Sequence, residues 1–198
     1  NGLTSLPPAL FTGMQIYTTL SLTVSSAVTT IPTCAFCNRS SFLYNPSSFL
    51  GGSFTFSAPN ATQMAPGAFA NITVDRALTL TLNSMAALPS GAFDSTSCES
   101  MALSAPQAAQ IAADTFANVS SAFSLTLGSA AKALPIGLFN GITPSASFTL
   151  NLGNELSGDG LPCESSSCVC RNFNFRCLTS MLAPDGVFSG MNAGSKFS

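Results

Sequence analysis

The chain has 198 residues, 46% of them apolar, enough to build a sizeable core in one large domain or two small ones. Only 7% are charged, the net charge is −2 and histidine is absent, which leaves no electrostatic footprint for nucleic acid or anionic lipid and rules out any Ser-His-Asp or Cys-His site built from this chain alone. No apolar run reaches the roughly 18 to 20 residues of a bilayer span, and Asn1-Gly2-Leu3-Thr4 lacks the basic start and apolar stretch of a signal peptide.

A short motif of apolar residue, proline, small residue and phenylalanine recurs along the chain. It reads Leu6-Pro7-Pro8-Ala9-Leu10-Phe11, Ile31-Pro32-Thr33-Cys34-Ala35-Phe36, Met64-Ala65-Pro66-Gly67-Ala68-Phe69 and Leu88-Pro89-Ser90-Gly91-Ala92-Phe93, and continues as Ile111 to Phe116, Leu134 to Phe139 and Ala183 to Phe188. Successive phenylalanines are 25, 33, 24, 23, 23 and 49 residues apart, so the period is near 24, with an insertion of about nine residues in the second interval and a double step in the last.

Between these motifs recurs an apolar-x-apolar step: Leu20/Leu22, Phe54/Phe56, Leu78/Leu80, Met101/Leu103, Leu125/Leu127, Phe148/Leu150 and Phe173/Phe175. Period-two alternation predicts a short strand in each repeat, apolar side chains inward, with Thr19, Ser21, Thr79, Thr81, Ser104, Ser124, Thr126 and Thr149 outward. One unit is too small to bury its own apolar face, so the units must stack as a parallel ladder around one continuous core. Phe11, Phe36, Phe69, Phe93, Phe116 and Phe139 are then expected to stack inside, opposite the strands.

The repeat resembles the extracellular leucine-rich repeat, which runs strand, Asn, apolar, then Leu-Pro-x-Gly-x-Phe; Leu78-Thr79-Leu80, Asn83, Met85, Leu88-Pro89, Gly91 and Phe93 match it. The resemblance implies a repeat solenoid with a concave parallel sheet, one short strand per repeat, and a convex side of loops and short helical turns. The Asn position departs from the family pattern in the other repeats, where it holds Ser25, Pro59, Pro106, Ala130 and Gly153. Backbone groups in that bend therefore need other partners than a buried Asn ladder.

Residues 1–160 read as this solenoid, with an insertion at about 37–52 that carries Phe42, Leu43, Tyr44, Phe49 and Leu50. That much apolar area on a loop either folds back over the core or docks a neighbour. Residues 161–198 read as a cysteine-stapled repeat and the start of further repeats, the whole being a window of a longer chain. The spacing of Cys163, Cys168, Cys170 and Cys177 resembles the N-terminal cysteine cap of secreted leucine-rich-repeat proteins. That likeness implies Cys163–Cys170 and Cys168–Cys177 disulfides and an oxidising compartment, extracellular or at the cell surface. Zinc is the rival reading, but the paired Cys-x-x-Cys knuckles of structural zinc are missing. Cys34 and Cys37 can close a small loop beside Phe36. Cys98, two repeats from Cys37 and so about 10 Å away at strand spacing, is expected to be a buried thiol, an intermolecular bond being the alternative.

Four acceptor triplets for N-linked sugar occur, at Asn38, Asn60, Asn71 and Asn118. Asn38, Asn71 and Asn118 each fall two residues after a motif phenylalanine, which predicts one row of glycans on the loop side; polar turn residues without sugar are the plain alternative. The carboxylates fall at different repeat phases and form no argued pair. Asn154, Glu155 and Asp159 match no calcium-loop template. The sequence therefore predicts no catalysis and no cofactor. It predicts a structural or adhesive extracellular glycoprotein, a unit of a fibre or coat, whose partners are copies of itself or an extracellular protein or glycan. A receptor ectodomain binding ligand on its concave sheet is the second reading. The outward strand face carries small hydroxyls and none of the Tyr, Trp or Arg anchors common at binding patches, and such a face can also array against ice or polysaccharide.

Overall fold

The computed structural model describes residues 5–8, 18–36, 48–50, 52–128, 130–131, 134–142, 148–153 and 173–177. These form a stacked series of coils about one core, and every strand pair among them is parallel. The strands are β1 (Leu20–Thr23), β2 (Thr30–Ile31), β3 (Ser48–Leu50), β4 (Phe54–Ser57), β5 (Gln63–Met64), β6 (Ile72–Thr81), β7 (Ala87–Leu88), β8 (Ser97–Ala105), β9 (Gln110–Ile111), β10 (Ser120–Gly128), β11 (Phe148–Gly153) and β12 (Phe173–Cys177). The main sheet runs β1-β4-β6-β8-β10-β11-β12, with β3 beside the first half of β6. The chain is thus a parallel β-solenoid with a repeat of about 24 residues. Its loop side is built from hydrogen-bonded turns and two-residue strands, with no helix among the described residues.

Each long strand has two parts with a corner between them. Ile72 and Val74 point inward before the corner of β6, and Leu78 and Leu80 after it. The register slips at this corner: Val74 pairs with Cys98 but Ala77 with Ser100, and in the next step Ser97 pairs with Ser120 but Ser100 with Ala122. Asp75 and Arg76 thus fill the corner of β6, Glu99 alone fills that of β8, and none remains in β10. The corner shortens coil by coil while the inward file stays aligned, because a one-residue slip of the whole strand would turn its apolar side chains to water.

This slip corrects one expectation. The Leu125/Leu127 step is two residues out of phase with its neighbours; the register sets Phe123 and Leu125 against Met101 and Leu103, and against Phe148 and Leu150. Leu127 pairs instead with Ala105. The same shift puts Gly128, not Ala130, at the bend position of Pro106 and Gly153. A Cβ on Gly128 would collide with the Pro106 carbonyl oxygen, so only glycine lets the two bends stack so closely.

Asn83 is exposed, so it forms no buried Asn ladder of the kind that the family resemblance implies. The bend satisfies its backbone by turns instead: Val28 N–H donates to the Ser25 carbonyl at 3.0 Å, Met85 to Leu82 at 3.2 Å and Ala108 to Ala105 at 3.1 Å. Side chains add links between coils, Ser84 Oγ donating to the Pro59 carbonyl at 2.6 Å.

After the bend come the two-residue strands, which pair as β2 with β5 and β7 with β9. Proline decides the grouping. Ala65 N–H donates to the Ile31 carbonyl and Ala112 N–H to that of Leu88, both at 2.9 Å. Pro89 holds the equivalent place between β5 and β7 and has no N–H to give.

The phenylalanines stack as expected. Phe36 and Phe69 lie 4.8 Å apart between ring centroids, Phe69 and Phe93 5.5 Å, Phe93 and Phe116 5.2 Å, Phe116 and Phe139 5.8 Å, with interplanar angles of 11°, 18°, 8° and 17°. Phe11 lies outside the described residues. The 33-residue step between Phe36 and Phe69 does not interrupt the stack. Ser48–Leu50, placed within that insertion by the sequence, forms β3, which pairs with Ile72–Val74; Phe42, Leu43 and Tyr44 lie outside the described residues.

Strand β12 continues the ladder in register, Phe148 opposite Phe173 and Leu150 opposite Phe175. Cys163, Cys168 and Cys170 therefore belong to the connection between two adjacent rungs. These three cysteines lie outside the described residues, as do the side chain of Cys177 and the residues Asn154, Glu155 and Asp159.

Candidate functional site

With no histidine to organise chemistry, the functional surface has to be sought in the two faces that the stack repeats: the turns around the phenylalanines and the outward side of the main sheet. The turns have a common geometry. Two residues before each phenylalanine the backbone is left-handed, at Cys34 (φ 57°), Gly67 (68°), Gly91 (64°), Asp114 (54°) and Gly137 (77°). Two residues after it the same happens, at Asn71 (57°), Ser95 (56°), Asn118 (55°) and Gly141 (70°). Left-handed backbone selects Gly and, among other residues, Asn and Asp, which accounts for seven of these nine positions; Cys34 and Ser95 adopt it without being any of the three.

The turns also bond coil to coil. Phe69 N–H donates to the Ala92 carbonyl at 2.9 Å and Phe93 N–H to that of Thr115 at 3.0 Å, while Asn71 donates to Asp94 at 2.8 Å, Ser95 to Ala117 at 3.0 Å and Asn118 to Asn140 at 3.0 Å. Two buried threonines reach the other way. Thr96 Oγ1 donates to the Phe69 carbonyl at 3.0 Å and Thr115 Oγ1 to that of Pro89 at 3.2 Å. Each turn is therefore held to both neighbours, and the row on its outside is fixed.

Asn71 and Asn118 stand in this row, both exposed, with Ser95 on the coil between them and Gly141 on the coil after. The Asn118 amide lies between Asp94 and Gly141. Its Nδ2 donates to Asp94 Oδ1 at 3.1 Å, and a Cβ on Gly141 would press on its Oδ1. Ser95 Oγ donates to the same Asp94 oxygen at 3.2 Å. Asn60 is exposed on the opposite bend, where its Nδ2 donates to the Ser26 carbonyl at 3.2 Å. Asn38 and Cys37 lie outside the described residues; Cys34 is engaged rather than free.

The outward sheet face has two files set by the register: Ser21, Thr55, Thr79, Ala102, Ser124 and Thr149, then Thr23, Ser57, Thr81, Ser104, Thr126 and Asn151. A shallow depression of about 100 Å³ crosses it over Thr79, Thr81, Ala102, Ser104, Ser124 and Thr126. Small-molecule clefts run from roughly 300 to 1,000 Å³, so this one is a dip in a nearly flat surface. The file extends the sequence reading by Thr23, Thr55 and Ser57, which the apolar-x-apolar pattern alone also marks as outward.

Inside, Cys98 is a buried free thiol, 8% exposed, between Val74 and the next coil's Ser121. Burial pushes its pKa up to about 11, and the Ser121 hydroxyl and the Leu78 backbone pull it back only in part. A thiol so far from ionising is a poor nucleophile at neutral pH. Among the described residues no three His, Cys, Asp or Glu side chains come together as metal ligands, and no helix is long and apolar enough to cross a membrane. No protein-family model, no curated protein and no solved structure matches the chain, so what the fold positions has to be argued from its own surface.

Proposed function

We propose that this chain is a structural or adhesive glycoprotein of the cell exterior, a unit of a fibre or surface coat, which acts by stacking its repeats and displaying N-linked sugar. The observation that carries the reading is the exposed row in which Asn71 and Asn118 recur at one position of the turn, on a coil locked to both neighbours. The nearly uncharged surface supports it, because sugar supplies the hydration that charge would otherwise give. The flat hydroxyl face supports it over a receptor ectodomain, for it lacks both a cleft of ligand size and the large aromatic or Arg anchors of a binding patch.

In this reading the repeat is a member of the leucine-rich-repeat kind. Cys163–Cys170, Cys168–Cys177 and Cys34–Cys37 are disulfides formed in an oxidising compartment, and the partners are further copies of the chain or other extracellular proteins and glycans. It has no catalytic activity and needs no cofactor. Intact mass before and after glycan removal, on protein secreted by a eukaryotic host, tests the sugar: we expect losses assignable to Asn38, Asn60, Asn71 and Asn118, and an unmodified mass overturns the proposal. Electron microscopy of the native material tests the assembly, with extended filaments or a continuous layer expected and isolated particles refuting it.

A further inference from the structure

The outward face of the main sheet repeats in two directions. Along each strand the two hydroxyl files are separated by one inward residue, as in Thr79-Leu80-Thr81 and Ser124-Leu125-Thr126, a step of about 6.7 Å. From strand to strand each file repeats at about 4.8 Å. We propose that this face, from β1 to β11, binds the surface of ice. The proposal goes beyond the coat reading and does not depend on sugar at any asparagine.

A crystal of water calls for a flat, regular set of groups that hold water without charge, because an ion keeps a hydration shell of its own. On a prism face of hexagonal ice the oxygens repeat along two perpendicular directions. One interval is near the spacing between strands, the other near a two-residue step along a strand. Of the twelve positions in the two files ten are Ser or Thr, all exposed or half-buried. Among the described residues their hydroxyls have no partner in the protein, so each is free to bond water. The threonines are β-branched and have few rotamers open to them, which fixes hydroxyl and methyl alike. No charged or aromatic residue enters either file before β12, where Asn174 and Arg176 take the next places. The depression over Thr79, Thr81, Ala102 and Ser104 lies between the files, with Leu80 and Leu103 also lining it, and seats a row of waters.

Other occupants fit this face less well. Six strands make it about 24 Å tall and about 10 Å wide, roughly 240 Å². That is far short of the roughly 800 Å² that each partner gives to a standard protein interface, which argues against a second copy of the chain. A bound protein or polysaccharide wants aromatic or Arg anchors, and the files before β12 have none. Ice needs no anchor, because many weak contacts at one fixed spacing act together. Parallel pairing holds the backbone under every rung, so the spacing is present before contact and little ordering is left to oppose binding.

The test follows a single ice crystal held just below its melting point in a solution of the full chain, secreted from a eukaryotic host, and measures how much chain a growing ice surface takes up. We expect a faceted crystal, a gap between freezing and melting, and chain enriched in the ice. Thr79→Tyr and Thr126→Tyr each stand a ring out of the face and should lose these effects while circular dichroism stays that of the wild type. Gln110→Tyr, exposed in β9 outside the main sheet, should keep them. A round crystal without a gap in the wild type overturns the proposal, as does activity that persists in either folded face variant or is lost equally in Gln110→Tyr. Loss of the effect on enzymatic removal of sugar also overturns it, whereas a chain that carries no sugar yet binds ice refutes the glycoprotein reading alone. Retention on insoluble cellulose or chitin, or a dimer that Thr79→Tyr splits in sedimentation, with no effect on ice, assigns the face to a polysaccharide or a second copy instead.

Discussion

Replacing Phe93 by alanine tests the stack at its centre. The ring is fully buried and lies between Phe69 at 5.5 Å and Phe116 at 5.2 Å, nearly parallel to both. A buried Phe→Ala change costs about 3 to 5 kcal/mol, the spread reflecting how far the site can collapse. Here collapse is opposed, because the flanking turns are pinned by the Phe69-to-Ala92 and Phe93-to-Thr115 backbone bonds at 2.9 and 3.0 Å. Two aromatic contacts are lost as well, each worth about 0.5 to 1.5 kcal/mol beyond area. We therefore expect about 4 to 5 kcal/mol, at the upper end of the range. In a linear stack this falls on the two interfaces of one coil, so urea unfolding followed by far-ultraviolet circular dichroism should show a lower midpoint and a transition that broadens or splits. Phe93→Leu fills most of the space and should cost about 1 to 2 kcal/mol. A loss below about 1.5 kcal/mol for alanine, with a single sharp transition, refutes the idea that these rings join the coils.

Cys98 makes stability depend on alkaline pH. Its folded pKa, about 11, lies above the ordinary 9.0, so the folded state holds its proton longer than the unfolded state does. Stability from this group is full below pH 9 and declines as pH rises from 9 toward 11; urea midpoints across that range should fall in the wild type and fall less in Cys98→Ala. Gly128→Ala forces a Cβ onto the Pro106 carbonyl and should cost at least about 2 kcal/mol, read as a drop in melting temperature. A neutral result would mean the bends are not stacked this closely. Thr96→Val removes a buried hydroxyl that bonds the Phe69 carbonyl at 3.0 Å. Denaturant unfolding should register about 1 to 2 kcal/mol, more than the same change at exposed Thr62.

Some of the fold could be read from residue spacing because one constraint repeats. Every coil needs an inward file, and that file shows as apolar-x-apolar steps at an interval near 24. The step at Leu125/Leu127 was misleading because three apolar residues, Phe123, Leu125 and Leu127, alternate there, and spacing alone cannot choose which two face Met101 and Leu103. The shortening corner chooses, through the loss of one residue from β6 to β8 and of one more from β8 to β10. The row that holds Asn71 and Asn118 was legible as phase, two residues after phenylalanine. Its left-handed backbone was not, because Ser95 adopts it without being glycine or asparagine.

Sequence alone determined that units of about two dozen residues stack with phenylalanines inside and small hydroxyls outside, since burial must follow the period of the apolar residues. Only the tertiary structure decided which residues meet between coils: Asn118 with Asp94 and Gly141, Thr96 with Phe69, Gly128 with Pro106. These contacts join residues more than 20 positions apart, and they depend on how many residues each corner and bend uses up. That count is settled when the coils close on one another.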